Sequence, residues 1–143
     1  MRVEGGCHCG KITYEAEIDP EKVALCHCTD CQTLTGSAFS TFVPVPREAF
    51  RLRGGTPKIY VKTAESGNKR AQAFCAECGT RIYASAVEDP PVFNLRVGTI
   101  RQRAELRPQL QVWCRSALPW TTELGSIRKL PRGTSRRSGR RAP

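Results

Sequence analysis

Eight cysteines carry most of the chemistry this 143-residue chain can offer, and seven of them fall into three tight clusters. The first is Cys7-His8-Cys9-Gly10. The second is Cys26-His27-Cys28-Thr29-Asp30-Cys31. The third is Cys75-Ala76-Glu77-Cys78-Gly79. Residues two apart on an extended chain point to the same side, so the sulfurs of Cys7 and Cys9 can reach one ion. A C-x-x-C turn followed by glycine forms a knuckle, because glycine tolerates the tight backbone there. Two thiolate pairs far apart in sequence complete a tetrahedral four-cysteine zinc site at Cys7, Cys9, Cys75 and Cys78. A site of that kind has no free position. It clips chain segments together and adds folding free energy.

The central cluster differs, because Cys26, Cys28 and Cys31 offer only three thiolates. Three protein ligands leave the fourth tetrahedral position free, which is the mark of a catalytic zinc. Three sulfur donors also leave the ion a comparatively weak Lewis acid. That favours carrying a substrate thiolate over hydrolysis by bound water. A thiol taking the free position would lose its proton, since thiolate is the form that binds metal. The expected cofactors are two zinc ions, one structural and one catalytic.

Other readings of the same residues are weaker. A disulfide framework suits an oxidising compartment, and a single zinc would leave the C-x-C-x-x-C thiols as redox groups. An iron–sulfur cluster lacks its four-cysteine run, and a zinc deaminase lacks its H-x-E. His8 and His27 each lie between two cysteines and should point to the opposite face, so they are secondary ligand candidates. Cys114 stands alone and reads as a small buried apolar residue. Asp30 reads as a solvated turn residue, or else as an acceptor or proton carrier beside the metal.

These clusters need elements to position them, and strand signals dominate. Lys11–Ile18, Lys22–Leu25, Ala38–Val45, Ala49–Leu52 and Lys58–Thr63 are strand candidates, as are Arg70–Phe74, Arg81–Ser85, Val92–Gly98 and Leu110–Trp113. Asp19-Pro20, Gly54-Gly55, Ser66-Gly67-Asn68 and Asp89-Pro90-Pro91 break the chain between them. Many short strands at near-regular spacing predict an all-β sandwich or barrel-like fold of antiparallel strands. No segment has sustained helical periodicity, and only short helical turns are expected, near Cys31–Thr35 and Pro119–Gly125. Residues 1–130 read as one zinc-binding domain, and 131–143 as an Arg-rich tail with nothing to bury and therefore disordered.

The formal charge of +10 sits mostly in the C-terminal stretch. Arg128, Lys129, Arg132, Arg136, Arg137, Arg140 and Arg141 follow the last acidic residue, Glu123. Without these seven, 16 basic and 13 acidic side chains remain. A nucleic-acid-binding fold is therefore not expected, except for contacts through the basic tail. The N-terminus shows no apolar run after a basic start, and no stretch approaches the roughly 20 apolar residues of a membrane span. A cytoplasmic location is expected, where clustered cysteines act as metal ligands or catalytic groups.

The segments GGCHCGKITYE (5–15), CHCTDCQTLTGSAF (26–39), FCAECGTRIY (74–83), VGTI (97–100) and VWCRSALPW (112–120) resemble the glutathione-dependent formaldehyde-activating enzyme family, whose domain is shared with centromere protein V. The resemblance runs from about Gly5 to Trp120. It implies an all-β fold of the β-tent kind. It implies a structural zinc on Cys7, Cys9, Cys75 and Cys78, and a catalytic one on Cys26, Cys28 and Cys31. The implied reaction joins formaldehyde to the glutathione thiol, giving S-hydroxymethylglutathione. The reverse is a carbon–sulfur lyase reaction. Three positions depart from the family pattern: Arg101 where an acidic residue is common, Gln111 where histidine is frequent, and Cys114 where Ser or Thr is commoner. The expected partners are a small-molecule thiol and an aldehyde. An acidic thiol would want basic residues, and Lys69, Arg70, Arg96 and Arg115 are candidates by charge. Two rival roles use the same residues: a zinc-stabilised binding module without turnover, and a zinc-dependent thiol sensor.

Overall fold

Turn signals divide the chain into short strands, which a computed structural model describes for residues 1–134. In order these are β1 (Arg2–Gly6), β2 (Thr13–Glu17), β3 (Ala24–Cys26), helix α1 (Thr29–Thr35) and β4 (Ser40–Pro46). There follow β5 (Phe50–Gly54), β6 (Lys58–Thr63), β7 (Lys69–Phe74), β8 (Arg81–Ala86), β9 (Val92–Arg96) and β10 (Leu110–Val112). They form a three-stranded sheet, β1-β2-β5, and a seven-stranded sheet, β10-β3-β4-β9-β8-β7-β6. The all-β expectation is met, as an open pair of sheets: β10 and β6 are separate edges, so no barrel closes among the described residues. One pairing departs from the antiparallel expectation. Leu110–Val112 runs parallel to Ala24–Cys26, because the long connection from β9 returns the chain to the far edge.

The expected strands are present with small shifts at their ends. The omission is β1, whose sequence RVEGG ends in two glycines and offers little strand propensity. Pairing in register with β2 holds it in place. Helix α1 is longer than the short turn expected there. Its first turn is capped by Cys28, and Gly36 closes it in a left-handed conformation. The turns expected after Pro119 are 3-10 segments at Pro119–Thr122 and Leu124–Ser126. Residues 131–134 are exposed and irregular. The rest of the expected tail, 135–143, lies outside the described residues. Among the described residues, no helix is long and apolar enough to cross a membrane.

The core lies between the sheets. Val3, Ile12 and Tyr14 from the small sheet's side meet Val43, Val45, Ile82 and Leu95 of the large one, all essentially inaccessible to water. Burying each such large apolar side chain contributes about 1.5–3 kcal/mol. Aromatic rings tie the layers together: Tyr14 lies against Phe50, which meets both Tyr83 and Phe93 at centroid distances of 5.5, 5.6 and 5.0 Å. The Tyr14 hydroxyl pairs with Thr99 Oγ1 at 2.7 Å.

Gly5 explains the glycines that precede the first cysteine pair. A Cβ there would stand 2.3 Å from the Thr99 carbonyl oxygen and 2.3 Å from the Tyr14 hydroxyl. Both neighbours are fixed by packing, so an added methyl must displace backbone. Gly5→Ala is expected to cost about 1–3 kcal/mol of stability. Gly125→Ala, where a Cβ meets no atom within 4 Å, serves as the control. Urea unfolding checks this, and equal midpoints for the two variants would contradict it.

Candidate metal centres

Four sulfurs meet where turns from the two sheets converge. Cys7 and Cys9 lie in the turn between β1 and β2, and Cys75 and Cys78 in the turn between β7 and β8. Their Sγ atoms all lie within 4.8 Å of one another. Cys7 and Cys9 are 3.6 Å apart, and Cys9 and Cys75 3.7 Å. A zinc–sulfur bond of about 2.3 Å in tetrahedral geometry requires sulfur–sulfur edges of about 3.8 Å. The donor set therefore fits a divalent ion of zinc's size and preference.

Local backbone chemistry builds both halves alike. Gly10 N–H donates to the Cys7 carbonyl at 3.1 Å, and Gly79 N–H to the Cys75 carbonyl at 2.8 Å. Both glycines have φ near +80°, which a side chain would resist. The pairing of Cys7 with Cys9 thus comes from a knuckle, not from the extended chain expected. Ile12 N–H donates to Cys7 Sγ at 3.2 Å, and Thr80 Oγ1 lies 3.2 Å from Cys78 Sγ. The Thr80 hydroxyl and backbone hold the Cys78 thiol down to about 5. His8 is exposed and outside the sulfur cluster; its N–H donates to Thr80 Oγ1 at 3.1 Å, linking the two knuckles.

Three sulfurs meet at the other centre. Cys26 ends β3, Cys28 caps α1, and Cys31 lies in its first turn. Their Sγ atoms also lie within 4.8 Å of one another, and among the described residues no fourth His, Cys, Asp or Glu joins them. The strand-to-helix corner orients the donors. Cys31 N–H donates to Cys28 Sγ at 3.3 Å, and Ser40 Oγ, facing from β4, donates to Cys31 Sγ at 3.2 Å. The hydrogen bond from Cys26 holds the Cys31 thiol down to about 5 against the opposing effect of burial, with Ser40 and the Arg96 charge assisting. The same contact with Cys31, together with burial, pushes the Cys26 thiol up. His27 points away as expected. Its buried ring bonds to Gln111 Oε1 through Nε2 at 2.7 Å and packs on Phe39 at 5.5 Å.

A cleft of about 400 Å³ opens beside Cys28, lined by Asp30, Lys62, Glu65, Trp113 and Arg115. Its charges are internally paired. Lys62 Nζ binds Asp30 at 2.8 Å, and Arg115 binds both oxygens of Glu65 at 2.9 and 3.0 Å while lying 5.1 Å above the Trp113 ring. Trp113 has φ of +58°, a left-handed conformation rare for a bulky residue, and this turns its ring along the cleft wall. A second cleft of about 400 Å³ opens on the Cys31 side, lined by Leu34, Phe39, Ser40, Arg81, Arg96 and Thr99, among others.

The candidate basic residues separate accordingly. Arg96 lines the cleft that Ser40 shares with Cys31, whereas Lys69 bonds to Thr63 Oγ1 at 3.0 Å and Arg115 is held by Glu65. Arg70 lies on β7, paired with Ala86, and no contact places it at either centre. Sequence reasoning missed Arg81, Ser40 and Gln72. Burial pushes the Arg81 and Arg96 guanidiniums below the usual arginine value, and the charge of Cys31 opposes this in both. Cys114 is exposed rather than buried, because the 3-10 turn 114–116 lies at the surface. Arg101 pairs with Glu4 on the protein's surface.

Comparison with known proteins points the same way. A family model described as glutathione-dependent formaldehyde-activating enzyme matches residues 2–116. An uncharacterized lyase of Schizosaccharomyces pombe is 31% identical over 80 residues, covering 56% of this chain and 55% of that protein. A putative glutathione-dependent formaldehyde-activating enzyme of Penicillium rubens is 28% identical over 91 residues, covering 62% of this chain and 47% of that protein. The chain thus spans about half the length of these curated relatives. A solved Rhodobacter sphaeroides protein shares the fold, with a TM-score of 0.59 at 17% identity over 76% of this chain and 98% of that one.

Proposed function

This chain belongs to the glutathione-dependent formaldehyde-activating enzyme family, and from that premise we propose that it adds a thiol, glutathione or a close analogue, to a small aldehyde such as formaldehyde, or runs the reverse carbon–sulfur cleavage. The observation that carries this reading is the trio of sulfurs held together with no fourth His, Cys, Asp or Glu among the described residues, beside an open cleft. Cys7, Cys9, Cys75 and Cys78 would hold a structural zinc. Cys26, Cys28 and Cys31 would hold the catalytic one. When bound there, zinc supplies the Lewis acidity that makes an incoming thiol a thiolate near neutral pH.

The addition itself balances simply. The sulfur forms a bond to the aldehyde carbon, the carbonyl π bond opens onto oxygen, and the thiol's proton ends on that oxygen. The product is a hemithioacetal, and the reverse breaks the same carbon–sulfur bond. The chain's own contribution is placement. Ser40 Oγ–H and the Cys31 N–H fix the orientation of two ligating sulfurs. Trp113 and the Arg115–Glu65 pair form one wall of the cleft next to Cys28. Holding thiol and aldehyde together there can lower the barrier by several kcal/mol, up to roughly 7–11 kcal/mol in ideal cases. Asp30, paired with Lys62 at 2.8 Å, lines the same cleft.

Exchange of free formaldehyde into S-hydroxymethylglutathione, followed by NMR on the zinc-loaded protein, tests the proposal. The exchange should exceed the buffer rate in proportion to protein concentration. An exchange rate equal to that of buffer, with other thiols and aldehydes equally inert, would remove the enzymatic reading.

A further inference from the structure

Two guanidiniums from neighbouring strands line the cleft beside Ser40, and neither has a carboxylate partner among the described residues. Arg81 opens β8 and Arg96 ends β9. Their only described hydrogen bonds go to one neutral acceptor. Gln72 Oε1, on the buried face of β7, takes Arg81 Nη2 at 3.3 Å and Arg96 Nη2 at 3.4 Å. Arg96 Nε is buried and has no hydrogen-bond partner among the described residues. Two like charges sharing one amide oxygen in a half-buried cleft are costly. The charge of Cys31 offsets them in part, and two guanidiniums leave room for a second anion. The cations of the Cys28-side cleft are already neutralised by Asp30 and Glu65.

We infer that Arg81 and Arg96 form a carboxylate-binding subsite, which seats an acidic group of the thiol substrate in the cleft on the Cys31 side. The guanidinium fork matches a carboxylate in two hydrogen bonds, and a partly dry wall strengthens them. The hydroxyl of Thr41 lines the same cleft and can serve as a further donor; that of Thr99 is spent on the Arg96 carbonyl at 2.8 Å. Phe39 and Leu34 supply an apolar flank for the methylenes of a peptide-like thiol. Ser40 lines this cleft and donates to Cys31 Sγ at 3.2 Å, so the subsite and the sulfur centre adjoin. The chemical class selected is a thiol carrying a carboxylate a few bonds from its sulfur. The inference rests on the trio being the centre where that thiol reacts.

The test separates the two ideas. S-methylglutathione keeps the carboxylates of glutathione but has no free thiol. Calorimetry on the zinc-loaded protein should detect its binding. Arg81→Gln and Arg96→Gln should each weaken it roughly 10- to 100-fold, as expected for a lost charged hydrogen bond. Arg96→Lys, which keeps the charge in case Arg96→Gln folds poorly, should retain part of the affinity. In the cobalt-substituted protein, the neutral 2-mercaptoethanol should perturb the spectrum at the same concentration in all variants. Unchanged S-methylglutathione binding in the Gln variants would overturn the subsite. So would loss of zinc together with equal weakening for 2-mercaptoethanol, which would make the arginines mere counter-charges to the metal. Binding of S-methylglutathione that depends on the arginines, with no spectral response to any thiol, would uphold the subsite and sink the reactive-centre reading.

Discussion

Cys78→Ser is expected to unfold the domain. The tetrad sits between the β1–β2 turn of one sheet and the β7–β8 turn of the other, so its ion would clip the two sheets together. Structural zinc sites supply an apparent ~10–16 kcal/mol of binding free energy that is also folding free energy. A domain of this size has only about 5–15 kcal/mol in total. Serine is nearly isosteric, and Cys78 is exposed, so packing is not what the substitution removes. It removes one of four sulfur donors, while a serine hydroxyl can keep the contact with Thr80. The expected loss is at least about 5 kcal/mol, read as collapse of the urea midpoint together with loss of one zinc. A variant that binds one zinc fewer yet unfolds at the parent's midpoint would contradict the structural role.

Cys28→Ser should have the opposite profile. The segments around the trio are already held by the pairing of β3 with β4 and β10. Cys28 is also the cap of α1, accepting from Cys31 N–H, and serine is among the best residues for that position. Stability should therefore change by no more than about 1 kcal/mol. Activity should fall by more than about 100-fold, because even outer partners of a metal ligand are worth 10- to 100-fold. Metal analysis should show about one zinc retained out of two. Unfolding as severe as that of Cys78→Ser would make both centres structural. Full activity would exclude Cys28 from the reaction.

The sulfur sets were legible because their spacing is local. C-x-C-G, C-x-C-x-x-C and C-x-x-C-G each bring donors together within one turn, whatever the rest of the chain does. The strands were legible for a similar reason, since alternation and breakers such as Asp89-Pro90-Pro91 act over a few residues. What escaped depends on distant register. Arg81 and Arg96 are neighbours only because β8 pairs with β9, and both meet Gln72 only because β7 pairs with β8. β1 escaped because its glycines answer a tertiary demand, the close approach of Tyr14 and Thr99, rather than strand propensity. Cys114 was misplaced because composition gives burial odds, whereas the turn after β10 sets it at the surface. Among the three departures from the family pattern, only Gln111 reaches the centre, through His27.

Loading the protein with two equivalents of cobalt and titrating glutathione puts the reactive centre to the question. One cobalt, the more readily chelated, should change its visible spectrum and saturate at one thiol per chain, while the other stays silent. Two bound cobalt ions whose spectra ignore glutathione at every concentration would mean that the trio accepts no thiol.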